Sequence, residues 1–323
     1  MRRSFLALPA VLLLALVVTG AAGAENGLAP VTPRSSNAAS IRDTYWLILG
    51  ITGAIFVLVE AALLLFIFRF RSRSGDRTVE GAQIHGATRL EVAYTVVPVL
   101  ILAAIVSFVF VKLPSIKDVP PAAAGSSALR IRVEAHQYYW QFAYPGGQVS
   151  VRRLVVPVNR VVTLDLVSPD VAHSWWVPAL GGKTDAIPGR TNHTWFRANR
   201  KGTYEVRCAE FCGLEHAHMI GFVDVVDPIE YRRFLGAHAP ASRTVGKEVA
   251  DGVCATCHGL AGQGDYGPPI AGSALLADRN GLEQLLRQGG TRMPAVGETW
   301  SPEVMQAAVA YLEQRYGGGT GGG

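Results

Sequence analysis

The sequence predicts a multidomain chain: a two-helix transmembrane hairpin, then a β-sandwich, then an all-α domain. Three observations carry that expectation. Two long apolar runs fall within the first third of a 323-residue chain that is 49% hydrophobic. Short β-rich segments with turn residues between them follow, and the last quarter changes to helical spacing broken by Gly/Pro loops. The four cysteines form two close pairs, Cys208 with Cys212 and Cys254 with Cys257, unlike the dispersed cysteines of a disulfide-stapled secreted domain. The net charge of +5 is not gathered on one stripe, which argues against a nucleic-acid partner.

Residues 1–24 read as a secretory signal peptide, with two arginines, an apolar run and the small residues Ala22-Gly23-Ala24. Residues 25–44 are an N-terminal segment, of which 25–40 are polar and small and expected to be flexible. The hairpin is expected over 45–113, with spans at about 45–68 and 91–113. The first run, "YWLILGITGAIFVLVEAALLLFIF", reaches about 36 Å as a helix, enough to cross a bilayer with tilt. Arg69, Arg71, Arg73 and Arg77 follow it and mark the cytoplasmic side, so both long flanks lie outside. Pro98 falls in the early turns of the second run, where a missing N–H costs least. Glu60 lies inside the first span, where a carboxylate is costly and a functional or partner role is the default hypothesis.

After a Pro/Ala/Ser linker, segments such as "LRIRVEA", "RVVTLDLVS" and "GFVDVV" suggest a β-sandwich over 127–226. A linker is expected at 227–243, a helical domain at 244–316 and a flexible Gly-rich tail at 317–323. "CATCH" is a haem-attachment motif: Cys254 and Cys257 would form thioethers and His258 would be the proximal iron ligand. Met293, in "TRMPAVG", is the candidate second axial ligand, and a Met/His pair suits electron transfer. With the "YGPPIAG" loop, this domain resembles a class I cytochrome c. Met305 is expected in its core.

"CAEFCGLEHAHM", Cys208 to Met219, packs two cysteines, two histidines, a glutamate and a methionine into one loop. Soft thiolates, a thioether and imidazoles favour copper, and His173 upstream is a further candidate ligand. Zinc would be satisfied by two Cys and two His, leaving Met219 without a role.

Taken together, the chain resembles subunit II of a haem–copper cytochrome c oxidase, of the subclass with a C-terminal cytochrome c. The pattern Cys-x-Glu-x-Cys-x3-His-x2-Met is met by Cys208, Glu210, Cys212, His216 and Met219, and "HSW" begins with His173. The resemblance implies a cupredoxin-like sandwich holding the dinuclear copper centre CuA. Glu210 would ligate through its backbone carbonyl, with its side chain directed to a magnesium ion at the junction with subunit I. The family spacing selects His216 over His218. His193, His136, His85 and His238 are expected to be ordinary polar or packing histidines.

The same resemblance places Glu91 at the mouth of a proton channel into subunit I; the alternative is a solvated helix N-terminus. "HQYYWQFAY" resembles the aromatic run where electrons enter, giving Tyr138, Tyr139 and Trp140, although Tyr138 stands where the family has Trp. Asp185 is a further candidate for a docking surface. The implied function is electron relay from a soluble or membrane-bound cytochrome c or another respiratory donor, through haem c and CuA, to the haem of subunit I. There oxygen is reduced to water with proton pumping. Subunits I and III and membrane lipid are the implied partners, and a bacterial cell membrane, with both cofactor domains on its outer face, is the implied location. A CuA subunit of a nitric-oxide reductase and a copper-delivery module are the competing functions.

Overall fold

The computed structural model describes residues 30–71, 83, 86–120, 128–239 and 242–317, in two compact units. The expected signal peptide, Arg73, Arg77, His85 and the glycine tail after Gly317 lie outside the described residues.

The first unit, Ala39–Asp118, is built from two helices, α1 (Ser36–Phe70) and α2 (Thr88–Lys117). Both are longer than the expected spans, and both are long and apolar enough to cross a membrane. Their hydroxyls are satisfied by the backbone one turn back, Thr52 to Ile48, Thr95 to Glu91 and Ser107 to Ala103, as apolar surroundings require. Lys112 pairs with Asp43 at 3.2 Å and ties α2 to α1.

The second unit holds the sandwich and the helical domain. β1 (Leu129–His136) pairs antiparallel with β2 (Tyr139–Ala143) across the turn Gln137-Tyr138, and parallel with β5 (Val162–Val167). β3 (Val149–Val151) and β8 (Asn192–Phe196) complete a sheet ordered β3-β2-β1-β5-β8. The facing sheet contains β4 (Arg153–Pro157), β6 (His173–Trp176), β7 (Thr184–Ala186), β9 (Gly202–Cys208) and β10 (Ile220–Val226). Its order is β4-β10-β9-β6-β7.

Alternation is the cause: in β1 and β5 every second side chain turns inward, so Ile131, Val133, Leu164 and Leu166 fill the space between the sheets. The Tyr144 hydroxyl crosses between the sheets, donating to the Val155 carbonyl and accepting from its N–H.

The stretch 34–38, expected to be flexible, is fixed to the sandwich. Ser35 donates to the Leu180 carbonyl at 2.7 Å and Asn37 to the Trp195 carbonyl at 2.6 Å. The expected linker is likewise ordered: it contains α3 (Pro228–Ala237). "DPIE" is a capping box, with Asp227 accepting from the N–H groups of Ile229 and Glu230 and Pro at the first helical position. Tyr231, on α3, is buried in the sandwich core.

α4 (Arg243–Val249), α5 (Ala255–His258), α6 (Arg279–Gln288) and α7 (Pro302–Tyr316) form the C-terminal domain. Gly246 lets α4 cross α7, because a Cβ there would strike the Ala307 carbonyl. Met305 is in this core, as expected. Tyr139 and Val151 of the sandwich belong to the same buried cluster, so the domain is docked on the β3 side of the sheet.

One carboxylate joins the docked parts. Glu248 accepts the Val151 N–H at 2.8 Å with one oxygen and meets His238 Nε2 at 2.8 Å with the other. Burial would lower the His238 pKa, but the hydrogen bond and charge of Glu248 outweigh it and raise it. The stability from this pair is therefore complete below the unfolded histidine value of about 6.5 and is lost as pH rises through the higher folded value. Thermal unfolding followed across that range should show a decline in Tm above about pH 6.5. Glu248→Gln should flatten the decline.

Candidate copper and haem sites

Strand register brings the first site together. Trp175 of β6 pairs with Cys208 of β9, and the Ala209 N–H donates to the Ser174 carbonyl at 2.8 Å. His173 lies two positions from Trp175, on the same face, and so sits diagonally beside Cys208. Its Nδ1 is 3.8 Å from Cys208 Sγ. The chain then turns through Ala209–Glu215 and a 3-10 turn, His216–His218, before β10 begins. This loop sets Cys212 Sγ 3.8 Å from Cys208 Sγ, 3.5 Å from His216 Nδ1 and 3.8 Å from Met219 Sδ. The Glu210 carbonyl oxygen is 3.2 Å from Cys208 Sγ.

Two sulfurs, two imidazole Nδ1 atoms, a thioether and a carbonyl therefore converge. His173 and Met219 are completely buried and both cysteines are free thiols. His218 instead turns outward and pairs with Glu215. The Glu210 carboxylate is exposed and 3.7 Å from Lys183, which also reaches Asp185.

The cluster is polarised. A hydrogen bond from the Cys212 thiol, with one from His173, pushes Cys208 down to about 3, while Cys212 is raised by keeping the shared proton beside an anionic sulfur. Such a donor set fits copper: it is soft, nearly dry and already assembled, and the buried thioether points at the sulfurs.

Two supporting residues escaped the sequence analysis. Asp170 accepts from His173 Nε2 at 2.8 Å, which fixes the tautomer and leaves Nδ1 facing Cys208. Burial would raise Asp170, but bonds from His173 and the N–H groups of Gln137 and Val171 hold it down to about 2. Gln137 donates through Nε2 to the Cys212 carbonyl at 2.6 Å. The only available signal was a carboxylate three residues before His173.

In the second site, a π turn (Ala250–Cys254) leads into α5 and presents Cys254 and Cys257 on successive turns. Both are free thiols, and burial pushes Cys254 up to about 12. His258 Nδ1 donates to the Pro268 carbonyl at 2.6 Å, leaving Nε2 as the available ligand atom. Gly267 permits this approach, since a Cβ would meet the His258 ring at 2.7 Å. Met293 is partly buried against the domain core. Two thiols, an oriented imidazole and a thioether fit a covalently attached haem.

The three aromatics expected where electrons enter separate. Tyr138 is half-buried on the copper loop, its hydroxyl accepting the Leu214 N–H at 3.1 Å. Tyr139 is 1% exposed and Trp140 0% exposed, so neither offers an outside donor a landing surface. The reason is strand alternation, which sends Trp140 into the sandwich and Tyr139 into the C-terminal domain. Glu91 accepts the Ala87 N–H at 2.9 Å, capping its own helix. His193 pairs with Asp165 at the surface, and His136 is buried.

Comparison with known families and proteins gives a consistent result. Residues 31–112 match the transmembrane domain of cytochrome c oxidase subunit II, and 148–226 match its periplasmic domain. Residues 241–312 match cytochrome c oxidase, cbb3-type, subunit III. Cytochrome c oxidase subunit 2 of Alkalihalophilus pseudofirmus is 33% identical, with 93% of this chain and 94% of that one covered. The protein of the same name from Cereibacter sphaeroides is 31% identical over 59% of this chain and 74% of its own length. A solved periplasmic domain of subunit II from Bradyrhizobium japonicum is 35% identical, covering 34% of this chain and 92% of that one, at a TM-score of 0.33.

Asp170→Asn should weaken copper binding by about 10- to 100-fold, because His173 loses the carboxylate that orients it. Competition with a copper chelator, read through the copper absorption, measures the change.

Proposed function

This chain belongs to the cytochrome c oxidase subunit II family, and from that premise we propose which of its residues carry electrons and in what order. It is a subunit of an oxidoreductase complex, a membrane protein with a periplasmic domain, and it associates with other subunits of that oxidase. The family matches imply CuA in the sandwich and haem in the C-terminal domain. Bound there, these groups supply one-electron carriage in a chain that makes and breaks no substrate bonds.

Cys208, Cys212, His173, His216, Met219 and the Glu210 carbonyl hold the copper pair. Cys254, Cys257, His258 and Met293 hold the haem. The observation that carries this reading is the convergence of both cysteine sulfurs with both Nδ1 atoms and the Met219 sulfur, each neighbour within 3.8 Å. Electrons enter at the C-terminal domain from a cytochrome c or another respiratory donor. They leave from the copper loop toward the haem of subunit I, where oxygen is reduced to water with proton pumping.

Phe211 and Leu214 flank the copper ligands with 78% and 79% exposure, which favours a partner subunit on that face. Glu210 would share a magnesium ion with subunit I, in competition with Lys183 for its carboxylate. Subunit III is a further partner. The hairpin would sit in the bacterial cell membrane with both redox domains outside.

Electron paramagnetic resonance and optical spectra of the purified complex should show a mixed-valence dinuclear copper signal and a low-spin haem c. Cys208→Ser should abolish the first and spare the second. Zinc in place of copper in correctly matured protein would sink the assignment.

Glu91 is proposed as the mouth of a proton channel, with its cap on Ala87 holding the carboxylate at the start of α2. Glu60 is proposed to face another subunit. Glu91→Gln and Glu60→Gln should each reduce proton uptake per electron in reconstituted vesicles. Unaltered pumping and turnover would remove the role from the residue tested.

A further inference from the structure

The β1–β2 turn touches both sites. On one side, the Gln137 N–H donates at 2.7 Å to Asp170, the carboxylate that orients His173, and its amide donates at 2.6 Å to the Cys212 carbonyl. On the other side, Tyr139 enters the C-terminal domain. Its hydroxyl donates to the Val296 carbonyl at 2.7 Å and accepts from Trp300 Nε1 at 2.9 Å. Val296 belongs to the same loop as Met293, the expected haem ligand. Between the two sides, the His136 ring lies flat on Tyr139, with centroids 4.6 Å apart and planes 2° from parallel.

We propose that Tyr139 is a positioning residue for electron transfer: its hydroxyl fixes the haem-binding loop against the turn that braces the copper ligands, and so sets the gap electrons cross. The connection runs from the Val296 carbonyl through Tyr139, the stacked His136 and Gln137 to Asp170 and His173. One electron crosses, oxidising the haem iron and reducing the copper pair, and no bond to Tyr139 forms or breaks.

The chemistry of the contact argues for one fixed pose. Tyr139 and Trp300 are 1% and 3% exposed, and a hydroxyl and an indole N–H are costly to bury without partners. Each here satisfies the other, and the remaining hydroxyl proton goes to a backbone carbonyl. The edge strand supplies a second, independent contact, the Val151 N–H capped by Glu248.

The proposal rests on the copper and haem assignments above, and its test separates the two. In the purified complex, Tyr139→Phe keeps the ring and removes the hydroxyl. Loss of that buried hydrogen bond should shift the docking equilibrium by about tenfold, read as about tenfold faster hydrogen exchange at the Val151 amide. Haem-to-copper electron transfer after reduction by a photoexcited ruthenium complex should slow by a similar factor. Copper and haem spectra, and reduction of the haem by an external donor, should not change. If Tyr139→Phe does not fold, Glu248→Ala removes the other contact and should give the same pattern. A wild-type transfer rate in a variant with intact spectra overturns the proposal. A wild-type complex lacking either spectrum overturns the site assignments, and the proposal with them.

Discussion

The copper end of the molecule depends on one strand register, the pairing of β6 with β9 that sets Trp175 opposite Cys208. Because side chains alternate, His173 then faces the same space as Cys208, and the loop after β9 closes over both. A one-residue slip would turn His173 to the opposite face and leave two sulfurs without their first imidazole. The sandwich core secures the register: Trp175 packs edge-on against Trp140 at 5.2 Å and Phe142 at 5.9 Å, so a slip would also pull an indole out of the core.

The electrostatics follow from that geometry. Two thiols 3.8 Å apart share a proton, and the imidazole held by Asp170 favours the anionic sulfur. For the cysteines of the helical domain, burial and acidic neighbours raise the thiols instead. Burial is the main influence on Cys254, with the charges of Cys257 and Asp251 adding to it, and keeps it a thiol, although the spacing of both cysteine pairs looks similar on paper. The two cysteine pairs thus differ in charge: Cys208 is held as an anionic sulfur, while Cys254 and Cys257 are both raised.

How much of this was legible in the sequence varies with the kind of signal. The candidate ligands were, as a cluster, because a run of Cys, His and Met within one loop has few other uses, and CxxCH is specific. The choice between His216 and His218 rested on spacing; the structure separates them by geometry, one toward sulfur and one toward Glu215. Asp170 and Gln137 were not legible, since their roles exist only once a hairpin turn and a distant loop meet. α3 could have been read from its capping box, but the short polar stretch looked like a linker. The aromatic run was misleading for a physical reason. A strand sends adjacent residues to opposite faces, so Tyr138, Tyr139 and Trp140 do not form one surface.

That separation bears on the route of electrons. A cytochrome c domain fused to the sandwich would be a tethered donor held at high local concentration. A tether would leave the aromatic run free for encounters, as an exposed tryptophan would be. Here Tyr139 is enclosed by the attached domain and Trp140 by the sandwich, while the third aromatic, Tyr138, spends its hydroxyl on the copper loop. The face of the hairpin that carries Tyr139 is already covered by the chain's own C-terminal domain. This enclosure supports the proposed route, in which the C-terminal domain passes electrons to the copper ligands and an external donor meets that domain.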